Sequence, residues 1–431
     1  MGMRQMANER IDAGSSNSEV RAKRWGWAVF LLALALGLAM VLVVFRAQSL
    51  VDNVSDPYKF GEMGKTIARG EPLDPYGSLL HRRSPLYPLF IAAVYSVFGE
   101  HPMAVYLLQC LLMAATCWLV FDMGRRVFNL RTGVLAGVMC ALHPLMLRYV
   151  PDLHLETLLS FLFTLVVWCS VRFHEKPTVA AGVWFGLAGG AAALTKAVVL
   201  LYPGLFVAAM LALRFVLKRR VTLPSIGAIA VIPLMMLLVI APWTYRNYAV
   251  TGKFVLITTG FNDAFLRGYV FSEKEYALLR RPPYTDAEIA SNRWFQSLAQ
   301  QAGTVWERDD YETEQILGRE VKRKLREEPA EFFRKFTTGL FTFWYQMTSL
   351  ANSLLTGLCA LGVWVLALFG MRRAWREDRP LWMFLLPALH LNLLLAILLA
   401  LGRYSAPIMP ALLVAAAFGI DTVLSGFRAR R

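Results

Sequence analysis

The sequence is short of charge. Only 17% of its 431 residues are Asp, Glu, Lys or Arg, against about 25% in soluble globular domains, which excludes a soluble fold for most of the chain. Cysteine is scarce too. All five cysteines (Cys110, Cys117, Cys140, Cys169, Cys359) stand inside apolar segments. No pair has zinc-ligand spacing and none lies in a loop, so a disulfide framework or a metal knuckle is not expected. There is no glycine-rich phosphate loop of the nucleotide-hydrolase type. No internal repeat or inverted pair of broken helices stands out either, which argues against a secondary transporter. The first apolar run, Trp25 to Phe45, is longer than the core of a signal peptide and is followed by no small-residue cleavage site. It is expected to stay as a membrane helix.

What the chain has in excess is apolar surface, 57% of its residues, gathered into blocks. Crossing a bilayer core takes about 20 residues of helix, and most of the blocks reach that length. The net charge is +15. A basic chain can point to nucleic acid, but here the Lys and Arg clusters sit directly beside apolar blocks, as membrane topology requires. No nucleic-acid partner is expected.

Residues 1–24 read as a cytoplasmic tail, polar and disordered over the first 20, with Arg21, Lys23 and Arg24 placing the N-terminus inside. Helix 1 (about 25–45) leads out into a first external loop, 46–102. Within that loop Pro85–Phe98 is apolar but short, the length of an interfacial segment. If it spanned, Arg125, Arg126 and Arg131 would lie outside, so it is expected in the interface. Helices 2 to 7 then follow at about 103–123, 132–148, 155–172, 178–195, 199–216 and 224–243. Residues 244–335 form the one long polar region and read as a small external domain. Phe336–Met347 is expected to be an amphipathic interfacial helix. Helices 8 to 10 follow at about 351–371, 381–401 and 407–425, closing a C-terminal membrane module, 336–431. Every inward end in this scheme carries a basic cluster. The expected fold is therefore an all-α polytopic membrane protein with about ten transmembrane helices, interfacial helices in the first loop and both termini cytoplasmic.

The same topology collects unusual polar residues on the outer face. Asp56 lies in the first loop; Asp152, His154 and Glu156 lie in the second, Pro-Asp-Leu-His-Leu-Glu. Lys196 ends helix 5, Arg246 follows helix 7, and Arg403–Tyr404 joins helices 9 and 10. Ionisable residues at membrane depth are costly and mark function. Asp56 also fits an ordinary turn before Pro57, and Asp152 fits the positive end of helix 4. Lys196, Arg246 and Arg403 could serve headgroup phosphates, and Arg82 and Arg83 could anchor the interface. His143 and His390 read as satisfied core histidines. Acids and bases converging on one face suit a site that binds an anion and moves a proton.

A family resemblance sharpens this. Asp-Pro-Tyr-x5-Gly-x2-Ile-Ala-Arg-Gly from residue 56, followed by Arg-Arg-Ser-Pro-Leu-Tyr-Pro from residue 82, resembles the first external loop of the GT-C superfamily. The resemblance is closest to the protein-mannosyltransferase and aminoarabinose-transferase-like family, glycosyltransferase family 39. Similar pieces follow in order: Gly-Arg-Arg-Val-Phe at 124–128, Ala-Leu-His-Pro at 141–144, Leu-Glu-Thr-Leu at 155–158, and Leu-Thr-Lys at 194–196. The last are Ala-Pro-Trp-Thr-Tyr-Arg-Asn-Tyr at 241–248 and Gly-Arg-Tyr-Ser-Ala-Pro-Ile-Met-Pro at 402–410.

By that resemblance the chain is an inverting glycosyltransferase of the bacterial inner membrane with a periplasmic active site. It would move a sugar from a polyprenyl-phosphate donor to a lipid, glycan or protein acceptor. Asp56 would be the general base, with Glu156 and Asp152 as the further acids. Arg403 and Tyr404 would lie near the donor phosphate, and the reading of the residues themselves adds Lys196, Arg246, Arg82 and Arg83 as phosphate-binding candidates. Pro57 stands where many members carry a second acid. No organic cofactor or protein-held metal is expected, and a divalent cation stays open. Two other readings remain: an oligosaccharide polymerase or ligase using a pyrophosphate-linked donor, and a non-enzymatic transporter of lipid-linked sugars.

Overall fold

The computed structural model describes residues 2–48, 60–71, 83–219, 221–273, 283–303 and 310–428. Among the described residues every regular element is helical, the arrangement that satisfies each backbone amide within its own segment where no water can do so. Helix α1 (Gly2–Gln48) starts inside the polar segment that composition marks as a disordered tail. That segment includes the helix formers Met, Arg, Ala and Glu and contains no proline, so local propensity allows the helix to continue backwards. Its apolar stretch is Ser18–Val44. Among the described residues of the first loop, two short helices follow: α2 (Phe60–Ala68) and α3 (Leu86–Phe98). The second is 13 residues long, about 20 Å, and so too short for a bilayer core of about 30 Å.

The chain continues as α4 (Pro102–Val127), α5 (Leu130–Leu142), α6 (Pro144–Arg148), α7 (Glu156–Glu175), α8 (Val179–Thr195), α9 (Tyr202–Phe215) and α10 (Ile226–Thr251). Seven described helical stretches are long and apolar enough to cross a membrane: those of α1, α4, α7, α9, α10 and the two C-terminal stretches Leu350–Arg376 and Gly402–Gly426. The other three expected spans fall on shorter apolar helices. Pro144 breaks one of them, because a proline cannot continue the ladder of the preceding turn; His143 has extended backbone there and splits it into α5 and α6.

Helix α10 runs eight residues past the expected boundary at 243. Its polar final turns are held by the chain that doubles back. Thr244 Oγ1 donates to the Leu256 carbonyl at 2.7 Å, and Asn247 Nδ2 donates to the carbonyls of Val255 and Ile257, both at 3.1 Å. Gly252 then ends it in the left-handed region (φ 67°), where only glycine sits without a Cβ penalty.

The polar region folds as α11 (Phe261–Phe271), α12 (Pro283–Gln301) and α13 (Asp310–Glu327), packed with α14 (Pro329–Thr342) around Phe265, Leu266, Tyr269, Phe295 and Leu317. α14 lies earlier than the expected Phe336–Met347, because Pro329 in its first turn starts it. The chain closes with α15 (Leu350–Arg376), α16 (Trp382–Ile397), a 3-10 turn (Gly402–Ile408) and α17 (Met409–Arg428).

Small residues bring the helices together. Gly182, Gly186 and Gly190 form a stripe on α8, and a Cβ at each would fall within 3.1 Å of a carbonyl oxygen on α10. Without a hydrophobic drive between helices in lipid, such backbone approach supplies the van der Waals contact. The basic ends converge. The buried carboxylate of Asp122 accepts from Arg125 at 2.6 Å and from Arg126 and the Trp168 indole. Asp421 accepts from Asn129 at 3.0 Å and faces Arg131 and Arg373 at 3.5 and 3.8 Å. Arg219, after α9, meets Asp378, after α15, at 2.9 Å.

Candidate active site

The opposite end of the bundle holds a different set. On α4, Gln109 stands 13 residues before Asp122, about 20 Å up the helix axis. It is fully buried. Its amide donates to the carbonyls of Val150 (2.8 Å) and Asp152 (2.9 Å), and its oxygen accepts from Tyr87 of α3 at 3.0 Å. These bonds fix the loop between α6 and α7. Thr157 adds a bond from its hydroxyl to the Tyr149 carbonyl at 2.9 Å. In this loop Asp152 Oδ1 lies 3.1 Å from His154 Nδ1.

The loop delivers Glu156 to the first turn of α7, where the helix dipole favours a carboxylate. Glu156 is only 4% exposed. Its Oε1 lies 3.9 Å from Arg403 Nε, while Oε2 has no hydrogen-bond partner among the described residues. Burial, and then the neighbouring Glu156 carboxylate, push the Tyr149 hydroxyl well above its usual range.

Arg403 reaches this point from the 3-10 turn that opens at Gly402. Its Nη2 donates to the Tyr404 hydroxyl at 3.1 Å. Lys196 comes from the extended residue just past α8 and sets its Nζ 3.3 Å from the centre of the Tyr404 ring, a cation–π contact strengthened by poor hydration. Glu156, Arg403, Tyr404 and Lys196 thus form one cluster, drawn from α7, the 3-10 turn and the α8 exit. Two cations against one carboxylate leave room for an anion.

The remaining candidates are placed less tightly. Arg246 stacks 4.8 Å over Trp243, and its polar contact is with Asn247 at 3.3 Å. Trp243 packs against the apolar group that holds Leu194, so Arg246 lies towards this end of the bundle, and among the described residues its polar and ring contacts are with Asn247 and Trp243. Arg83 lies 5.4 Å over the Phe60 ring. Asp56 and Arg82 lie outside the described residues. His390 is a satisfied core histidine, its Nε2 2.9 Å from the Val198 carbonyl. His143 differs: it is buried and neither ring nitrogen has a partner among the described residues. Among the described residues no three His, Cys, Asp or Glu gather as a metal site.

Sequence reasoning missed Gln109 and Tyr87. A lone amide in an otherwise apolar span was the available signal.

Residues 82–245 match the family model described as dolichyl-phosphate-mannose-protein mannosyltransferase. Among solved structures, the oligosaccharyltransferase of Archaeoglobus fulgidus in its apo form superposes with a TM-score of 0.60 at 13% identity, over 94% of this chain and 52% of that one. The chain has the GT-C fold. The same archaeal enzyme in complex with an inhibitory peptide and a dolichol-phosphate gives a TM-score of 0.58 at 13% identity, over 94% and 51% of the two chains. The chain therefore spans about half the length of these structures. ArnT of Cupriavidus metallidurans bound to undecaprenyl phosphate aligns at 19% identity over 92% and 78% of the chains, with a TM-score of 0.40. No curated protein matches the sequence.

Proposed function

We propose that the chain is a membrane glycosyltransferase that moves a sugar from a polyprenyl-phosphate donor to an envelope acceptor on the periplasmic side of a bacterial inner membrane. The observation that carries this reading is the Glu156–Arg403–Tyr404–Lys196 cluster, a buried cationic cradle at one end of a GT-C bundle. The description of the matching family names a phosphate-linked lipid sugar as donor, and the archaeal neighbour's structure is a complex with a dolichol-phosphate. Both agree with a cradle for one phosphate.

In this reading an acceptor hydroxyl attacks the anomeric carbon as the bond from that carbon to the phosphate oxygen breaks, and the configuration inverts. The hydroxyl proton passes to Asp56. The electron pair leaves with the phosphate, whose growing charge is met by Arg403 and Lys196 and by the Tyr404 hydroxyl. Glu156 orients Arg403, with Asp152 as a further acid. Asp56 is four residues from Phe60, whose ring packs 5.1 Å from that of Tyr87.

Replacing Asp56 by Asn tests the reading. Transfer in a membrane assay should vanish while expression stays at the wild-type level. Full activity in that variant would sink the base assignment, and full lipid-sugar export without transfer would favour a transporter. The archaeal fold likeness favours one second reading, an oligosaccharide ligase. Supplying the donor with a monophosphate or a pyrophosphate link separates the two.

A further inference from the structure

Arg403 is presented by unusual backbone. Helix α16 ends at Ile397, and Leu398–Leu401 run non-helical and buried until the 3-10 turn opens at Gly402. Irregular backbone at such depth persists only where protein satisfies its polar groups. Beyond the local bonds of Leu398 N–H and the Leu401 carbonyl, three partners come from one neighbouring segment. Lys335 Nζ donates to the Ile397 carbonyl at 2.5 Å, and Thr342 Oγ1 donates to the Ala400 carbonyl at 3.3 Å. The Gly402 N–H donates to the Gln346 carbonyl at 2.7 Å.

We propose that the polar unit α11–α14 is the positioning device for the donor site, with Lys335 and Thr342 as positioning residues that set Arg403 through the backbone of Leu398–Gly402. This rests on the reading that Arg403 holds the donor phosphate.

Three further observations agree. Lys335 is 1% exposed, an expensive place for an amine unless its bond is needed. Its Nζ lies 3.5 Å from the centre of the Phe265 ring and 4.8 Å from that of Tyr269, so α11 supplies the walls. Gly268 lets the lysine through: a Cβ there would stand 2.5 Å from Lys335 Cε and 2.0 Å from the Leu398 carbonyl oxygen. The seat is thus shaped around one lysine and one irregular segment. Burial also pulls the amine down to about 7, and a neutral amine still donates to Ile397.

The test uses the full chain in detergent or nanodiscs, with a polyprenyl-phosphate sugar as donor. Lys335→Met should raise the donor KM about tenfold, and Thr342→Val about threefold, with acceptor KM and kcat held within twofold. In an Arg403→Met background neither substitution should raise donor KM further, because each acts through Arg403. A fall in kcat alone, or additive losses in the double variants, would assign these residues to general packing and overturn the proposal. Hydrogen exchange keeps the inference separate from the activity. Amides 398–404 should exchange faster in Lys335→Met, or in Thr342→Val should the first variant not fold, while amides 150–156 stay unchanged. Unaltered exchange at 398–404 would refute the clamp even if transfer is seen. Altered exchange in a protein without transfer would instead refute the proposed function.

Discussion

Arg403→Met separates what the arginine does for binding from what it does for the fold. Arg403 has 15% of its side chain exposed and faces Glu156, 5% exposed, at 3.9 Å. Two unit charges about 4 Å apart at an effective dielectric of 20 interact by about 4 kcal/mol. That is an upper bound for the contact with a phosphate, since hydrogen bonds to charged groups contribute about 1.5–3 kcal/mol net. At about 1.4 kcal/mol per tenfold, the donor KM should rise between about 10- and 150-fold. Stability should change for another reason. Glu156 loses its counter-charge in a buried position, and stranding one member of a buried pair costs about 3–5 kcal/mol. The 3.9 Å separation and the neighbouring Lys196 reduce this to roughly 1–2 kcal/mol. The double variant Arg403→Met/Glu156→Gln should therefore regain thermal stability but not donor affinity. Arg403→Lys should fall between, keeping the charge while losing the planar fork. The assays are thermal unfolding of the purified protein and transfer rates against donor concentration. A donor KM within twofold of wild type in Arg403→Met, or recovery of donor affinity in the double variant, would refute the reasoning.

Other substitutions probe the supports. Gln109→Leu strands the carbonyls of Val150 and Asp152 and should destabilise by about 1–3 kcal/mol. Its kcat should fall with little change in donor KM, and a Gln109→Glu variant keeping the Tyr87 bond should not restore it. Asp122→Asn weakens the charge cluster at the other end. It should lower the unfolding temperature while donor and acceptor KM stay at wild-type values. Lys335 provides a pH test. Its folded value of about 7 lies below the ordinary 10.5, so between those values the unfolded chain binds the extra proton. Stability of the wild type relative to Lys335→Met should then rise from pH 7 towards pH 10 and be lowest below pH 7, by up to roughly 5 kcal/mol across the window. A flat difference would remove the buried amine.

The membrane fold was legible in the sequence because it rests on features that need no tertiary context: apolar length and the placement of Lys and Arg. Pro85–Phe98 was recognised as too short to span, and it is α3. The short helix α5 was harder to read than α8, which was expected at 178–195 and is found at Val179–Thr195. A proline split the first, and the second is a glycine stripe, where burial depends on what a neighbouring helix brings within backbone distance. The candidate site was half legible. Glu156, Lys196, Arg403 and Tyr404 stood out as charge or phenol at helix ends, and the structure brings all four together. The sequence could not show which of the outer cations meet, and among the described residues the polar and ring contacts of Arg246 are with Asn247 and Trp243.

Lys335 shows why the supports were illegible. In Glu-Phe-Phe-Arg-Lys-Phe it has the pattern of a solvated stripe on an amphipathic helix, and its neighbour Arg334 reaches no deeper than the Ser272 carbonyl. Its role is set by a carbonyl 62 residues away that lost its helical partner where α16 ends. A helix that stops inside a packed protein creates unsatisfied acceptors, and whichever neighbour carries a donor of the right length must answer them. The place where α16 stops is also where Arg403 begins its approach to Glu156. The need to satisfy backbone and the need to aim a cation therefore meet in one stretch, Leu398–Gly402. A substitution in α14 should on this account be felt at a site it does not touch.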